Sequence, residues 1–206
     1  MSNSLRRRTD MRAYCDSCHY PKSTCICNSI TTFASPVRIF ILQHKREASH
    51  AKNTARLIRL CIPDKAHIIN VSDDEAMARL QETLDIESTA ILYPSERSEI
   101  LEMKAAKLRS ELTTLILIDG SWKQAYGIMN SHTWLANIPA YKFDQAPLSD
   151  YRIRHTQVAN SLSTLEATAY ALNILYGCST QPLLSAQAAM QLHWQAPSCH
   201  HRFHRD

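Results

Sequence analysis

Apolar residues in this chain gather in short blocks rather than alternating singly with polar ones. Four such blocks read as strands: "PVRIFILQH" (36–44), "AHIINVS" (66–72), "TAILYPS" (89–95) and "TLILID" (114–119). Continuous apolar, β-branched runs of this length suit strands buried on both faces. Between them lie segments with helical spacing. They are "ASHAKNTARLIRLC" (48–61), a helix opened by the capping box Ser72-Asp73-Asp74-Glu75, "SEILEMKAAKLRS" (98–110), and a helix from about Trp122. A short strand is expected at "AYKFD" (140–144). The clearest helix is "STLEATAYALNILYG" (163–177). There Leu162, Leu165, Ala169, Leu172 and Tyr176 recur at spacings of three and four, and Gly177 stands at the C-cap position.

Strands alternating with helices predict an α/β fold, a mainly parallel sheet with helices on both faces. Ligands of such sheets bind beyond the carboxyl ends of the strands. Three of those ends carry conspicuous polar groups: Gln43-His44, Tyr93-Pro94-Ser95 and Asp119-Gly120-Ser121-Trp122.

Composition narrows the function classes. The 206 residues are 45% hydrophobic and 20% charged, ordinary for one globular domain with a small appendage. No run approaches the roughly 18 apolar residues of a membrane span. Arg6, Arg7 and Arg8 are followed by no apolar signal region, so the expected compartment is the cytoplasm, where thiols stay reduced. A net charge of +4 permits a polyanionic partner without requiring one. Only three glycines, Gly120, Gly127 and Gly177, are present, too few for a glycine-rich phosphate loop of either common kind.

Two motifs carry chemistry. "CDSCHYPKSTCIC" places Cys15, Cys18, Cys25 and Cys27 in the pattern C-x2-C-x6-C-x-C. Four soft ligands so close together suit a closed tetrahedral zinc site, with His19 as a competing ligand. An iron–sulfur cluster and a redox dithiol stay open on spacing alone. Cys61, Cys178 and Cys199 read as core or tail residues, and the His-rich end "HWQAPSCHHRFHRD" as a basic tail.

The second motif is the turn after 114–119. Asp119 ends a buried strand, Gly120 allows a sharp turn, and Ser121 with Gln124 forms an S-x-x-Q capping signature. Capping explains Ser121. Trp122 fits either the core or a stacking surface for a flat ring. Asp119 is a candidate binding residue or general base. Ser163 with Glu166 is a second capping box, and its helix N-terminus suits a ligand carboxylate.

The ordered set "CDSCHYPKSTCIC", "LQHKRE", "LYPSE", "LIDGSW", "YRIR" and "LSTLEA" resembles the DTW-domain family, named for an Asp-x-Thr-Trp turn. The resemblance runs from about Cys15 to Leu192. Ser121 stands where the family name has Thr, Lys45 where Pro is expected, and "HTQVANS" (155–161) lacks a basic residue often found there. The resemblance implies a SPOUT-like domain with a C-terminal trefoil knot, S-adenosylmethionine as co-substrate, and tRNA as partner. It implies transfer of the 3-amino-3-carboxypropyl group to N3 of a uridine, in the variable loop among bacterial relatives. The donor would lie among Tyr93, Pro94, Ser95, Gly120, Leu162, Ser163, Thr164 and Glu166, with Asp119, Ser121 and Trp122 at the reaction. Arg152, Arg154, Lys123 and the N-terminal arginines are candidate phosphate contacts. The expected division is a basic start and four-cysteine zinc module over 1–30, the transferase domain over 31–195, and a tail over 196–206. Two rivals stand beside this reading: an RNA methyltransferase of the same fold, and a non-catalytic zinc-containing RNA-binding protein.

Overall fold

The computed structural model describes residues 13–153 and 161–195. Its centre is one six-stranded sheet. The strands are β1 (Arg38–Gln43), β2 (Ala66–Asn70), β3 (Thr89–Leu92), β4 (Glu99–Ile100), β5 (Thr114–Asp119) and β6 (Ala140–Lys142), in the order β2-β1-β5-β3-β6-β4. Every neighbouring pair is parallel. The helices are α1 (Lys45–Ala48), α2 (Ala55–Cys61), α3 (Asp74–Thr83), α4 (Leu101–Glu111), α5 (Trp122–Ser131), α6 (Thr164–Tyr176) and α7 (Gln181–Gln195).

The apolar runs of β1, β3 and β5, inside the sheet, are buried on both faces as their composition requires, whereas β2, at the sheet edge, buries only Ala66 fully and leaves His67 and Asn70 exposed. Along β5, Leu115 and Leu117 join a cluster with Ile39 and Ile41 of β1 and with side chains of α2, α4, α6 and α7. Ile116 points the other way, into a cluster with Leu42, Ile91, Met77 of α3 and Ile128 of α5. The N-terminal segment belongs to the first of these cores, through Cys18, Tyr20 and Ile26. No helix among the described residues is long and apolar enough to cross a membrane.

The structure departs from the sequence reading in four places. Of the helix expected over 48–61, only Ala55–Cys61 forms one, α2; the short α1 ends at Ala48, and the stretch between is irregular. Buried Asn53 holds that stretch open by donating to the Glu47 carbonyl at 3.0 Å and accepting from the Arg56 N–H at 3.1 Å. The N-cap of α3 is Asp73, which accepts from the Ala76 N–H at 3.0 Å; Ser72 stands one residue too early for a capping box. Glu99 and Ile100, expected in a helix, form the edge strand β4 before α4 begins. Helix α7 was not expected. Its buried face mixes Leu183, Ala186 and Met190 with Gln187 and Gln191, which blurs the apolar stripe. By contrast, α6 closes as foreseen, with Gly177 in the left-handed region at φ 65°.

Candidate functional site

The turn after β5 is assembled by the strands beneath it. Gln43 and Asp119 are register partners at the ends of β1 and β5. Asp119 is 2% exposed, and both of its oxygens are used. Oδ2 accepts from Gln43 Nε2 at 2.8 Å and Asn53 Nδ2 at 3.1 Å, while Oδ1 accepts from the Thr164 hydroxyl at 2.7 Å. Three donors leave a carboxylate little spare acceptor capacity. Asp119 therefore ties the end of β1, the 49–54 stretch and the start of α6 to one point.

Gly120 has a reason other than the one expected. Its φ is not in the left-handed region. A Cβ there would meet Gln124 Cβ at 3.0 Å and Gln124 Oε1 at 3.2 Å, so the site needs space rather than freedom. Gln124 occupies that space because it completes the capping box. The Ser121 N–H donates to Gln124 Oε1 at 2.6 Å, and the Gln124 N–H donates to Ser121 Oγ at 3.4 Å. Ser121 is thus engaged as a cap. Trp122 is 45% exposed and Tyr126, one turn on, is 64% exposed, so neither is core.

The loop after β3 sits beside this turn, because β3 pairs with β5. Ser98 Oγ donates to the Tyr93 carbonyl at 2.5 Å and lies 2.8 Å from Ser95 Oγ, which folds Tyr93, Pro94 and Ser95 into a compact hairpin. Burial, then the neighbouring Tyr126, push the Tyr93 hydroxyl above its usual range.

At the start of α6, Leu162 is half-buried and Ser163 and Glu166 form the second capping box. Glu166 also reaches beyond the helix. It accepts from Ser149 Oγ at 2.7 Å, the Asp150 N–H at 2.8 Å and Gln187 Nε2 at 3.1 Å. Gln191 extends the network, accepting from the Arg152 N–H at 2.7 Å and donating to the Asp150 carbonyl at 3.0 Å. Arg152 itself pairs with Asp150 at 2.6 Å. The other basic residues expected near RNA, Arg154, Arg6, Arg7 and Arg8, lie outside the described residues, as do Cys199 and the tail from 196.

The cysteine motif closes on itself. The four sulfurs of Cys15, Cys18, Cys25 and Cys27 lie within 4.8 Å of one another, and this group does not include His19. Two of the separations are 3.6 Å (Cys15 to Cys27) and 3.7 Å (Cys18 to Cys25). Sulfurs at the corners of a tetrahedron with metal–sulfur bonds of about 2.3 Å would be about 3.8 Å apart, so the group fits a single metal ion. The backbone N–H groups of Cys18 and Ser17 draw the Cys15 thiol down to about 6. Hydrogen bonding within the cluster, from Cys25 first, pushes Cys27 up to about 12.

The profile of the family described as "DTW domain" matches residues 12–195. The chain belongs to the DTW-domain family. It is similar to proteins named tRNA-uridine aminocarboxypropyltransferase 2. The one from Drosophila melanogaster is 32% identical over 188 residues, covering 88% of this chain and 73% of the relative. That from Mus musculus is 28% identical over 193 residues, covering 88% and 63%. That from Macaca fascicularis is 30% identical over 171 residues, covering 80% and 57%. The chain thus spans less than two thirds of the length of the two mammalian relatives. No solved structure matches it significantly.

The DTW turn also borders an open groove of about 820 Å³, on the flank away from α6. It is lined by His44, Lys45 and Arg46 after β1, Ser72 and Asp74 after β2, and Ser121, Lys123, Gly127 and His132 along α5. The groove shares Ser121 with the expected donor loops but none of Tyr93, Thr164 or Glu166. In this DTW-domain chain the sequence reading missed Asn53, Gln187, Gln191 and the groove. Asn53 had a signal, a polar residue just before an apolar helical run. The two glutamines had only their i, i+4 spacing.

Proposed function

We propose that the protein is a tRNA-uridine aminocarboxypropyltransferase that uses S-adenosylmethionine as donor. Membership of the DTW-domain family and the names of the relatives support the reaction. One structural observation carries the site: the Thr164 to Asp119 hydrogen bond at 2.7 Å, which brings the DTW turn and the α6 N-terminus together beside the β3 loop. Those three loops offer an aromatic ring, several hydroxyls and helix N-terminal amides. That mixture suits an adenosine at one end and an amino-acid carboxylate at the other.

In this reading Tyr93, Pro94, Ser95, Gly120, Leu162, Ser163 and Thr164 border the donor, and the first turn of α6 receives its carboxylate. The sulfonium of the donor supplies an electrophilic carbon. Uridine N3 loses its proton and forms a bond to that carbon. The carbon–sulfur bond breaks with its electron pair going to sulfur, and methylthioadenosine leaves. Trp122 stacks on the target base. Asp119 has two roles to divide. Its three donors make it an organiser of the pocket, and taking the N3 proton would require at least one of them to let go. Glu166 acts at one remove, by fixing the helix that meets the donor.

The same proposal includes zinc as the metal of the cysteine centre. Separations near 3.7 Å favour one ion over a cluster, whose thiolates bind different irons. Four thiolates leave no open coordination position, so the metal is structural and holds the N-terminal module. Reduced thiolates also suit a cytoplasmic setting. A SPOUT-like knot at the carboxyl end is part of the proposal too. It is supported by the crossing of residues 149–153 from β6 back to the β1 side, where the Tyr151 hydroxyl donates to the Lys52 carbonyl and Lys52 Nζ donates to the Ile153 carbonyl at 2.7 Å.

The test is mass analysis of nucleosides from tRNA incubated with the pure protein and S-adenosylmethionine. The expected result is a uridine heavier by the aminocarboxypropyl group, with methylthioadenosine released. A methyl gain instead would make the protein a methyltransferase. No gain, together with no binding of S-adenosylmethionine, would leave an RNA-binding protein.

A further inference from the structure

The groove beside α5 differs chemically from the donor loops. Lys45, Arg46 and Lys123 come from two separate parts of the chain and converge on it, with His44 and His132 alongside. Asp74 is the one carboxylate in its lining. Among the described residues, none of these three cations pairs with an acid; the ion pairs are Arg79 with Glu75, Lys104 with Glu99, Lys107 with Glu111, and Arg152 with Asp150. All three cations are exposed. A merely solvated face tends to intersperse charges of both signs, and unpaired cations that converge on a concavity attract a polyanion.

Gly127 is a second, independent sign. It stands inside α5, where glycine weakens a helix relative to alanine. Packing does not call for it, because a Cβ there would meet nothing within 4 Å. Its φ is not in the left-handed region either. What remains is the groove itself, which Gly127 lines. A bare helix surface at that point lets a ligand approach the backbone closely.

The third observation identifies the ligand's class. Trp122 and Tyr126 are one helical turn apart on the opposite flank of α5, both exposed, and Tyr93 stands near Tyr126. Aromatic faces beside a cationic channel are the arrangement that binds single-stranded nucleic acid: the channel takes phosphates and the rings take bases.

We infer that the groove lined by Lys45, Arg46, Lys123 and Gly127 is the subsite for the RNA backbone next to the target uridine. In it α5 acts as a ridge. The phosphodiester strand runs along one flank while an unstacked base turns over the helix toward Trp122, Tyr126 and the donor loops. This rests on the RNA reading above and gives that RNA a place.

The experiment measures binding of unlabelled donor and of deacylated tRNA at several salt concentrations. It compares the wild type with the triple variant Lys45→Gln, Arg46→Gln, Lys123→Gln and with Gly127→Gln. The expected result for the triple variant is tRNA affinity roughly ten-fold weaker or worse, and a log–log salt slope shallower by about two to three. Its affinity for S-adenosylmethionine should be unchanged. Gly127→Gln should weaken tRNA binding while its thermal midpoint stays the same or rises, a combination that a folding defect does not produce. Wild-type tRNA affinity and salt slope in both variants would overturn the subsite. Nucleoside mass analysis on the same samples separates the two claims. Binding lost in the variants, with no aminocarboxypropyl product from the wild type, removes the reaction and keeps the groove. Product formed by the variants at wild-type kcat/KM removes the groove and keeps the reaction.

Discussion

The two flanks of the Asp119–Trp122 turn use polar side chains in opposite ways. Toward α6 and α7, Asp119, Thr164, Ser163, Glu166, Gln187 and Gln191 are bonded to one another or to backbone, and four of them are buried. No buried side-chain polar atom among the described residues lacks a partner. Toward α5 and β2, the cations of the groove are exposed and engage no carboxylate among the described residues. A saturated network spends its hydrogen bonds on shape. An unsaturated groove keeps them for something else. Buried and exposed polar residues at one turn therefore answer different questions, and substitutions on each flank should fail in different assays.

The largest expected effect comes from the cysteine centre, because it is joined to the saturated flank. Cys18, Tyr20 and Ile26 share a core with α6 and α7, and the Tyr20 hydroxyl donates to Met190 Sδ of α7 at 3.6 Å. Arg56 links the same module to the site, donating to the His19 carbonyl at 3.3 Å while its N–H donates to Asn53, a partner of Asp119. Removing the metal proposed for this centre with a chelator, or Cys18→Ser, should lower stability by several kcal/mol in denaturant melts. It should also weaken S-adenosylmethionine binding more than tRNA binding. Equal loss of both would mean that the two flanks are not separable.

Glu166→Ala comes next. It strands donors from Ser149, Asp150, Ser163 and Gln187 in a half-dry site, with a cost of about 3 kcal/mol in unfolding free energy. A cost below about 1 kcal/mol would show that water replaces the carboxylate easily. Asp119→Asn is smaller in stability and more informative in rate. One side-chain oxygen becomes an NH2 facing other donors, at a cost of about 1–2 kcal/mol. If Asp119 only organises the pocket, KM for the donor rises along with any fall in kcat. If it takes the N3 proton, kcat collapses while donor affinity holds.

Much of this was legible in the chain, and the reasons for the exceptions are specific. Five of the six strands were legible, most clearly β1, β3 and β5, because doubly buried β-segments admit few polar residues; β4, two residues at the sheet edge, was not. Both capping boxes were legible because the motif is local, and Ser121–Gln124 and Ser163–Glu166 each supply both halves within four residues. The split between α1 and α2 was not, since it depends on Asn53 meeting a carboxylate 66 positions away. Helix α7 was hidden by glutamines whose burial has meaning only once Glu166 and residues 150–152 lie against them. The need for Gly120 was visible as a turn signal, but its cause, the Gln124 side chain beside it, is a matter of packing. The groove had no signal at all: residues 44–46, 72–74 and 121–132 meet only when β1, β2 and β5 are neighbours.

Helix α7 leaves the ribosome after every other described element. A nascent chain that ends before Gln181 already holds all six strands and the DTW turn, yet nothing from α7 braces the start of α6 or the 149–152 crossing. Such a chain also lacks Leu183, Ala186 and Met190 from the core that α7 shares with β1 and β5, so the sheet's covering layer and the start of α6 are left unfinished together. Emergence of this last helix is in this way the step that completes both the core and, through two glutamines, the network around Glu166 and residues 150–152.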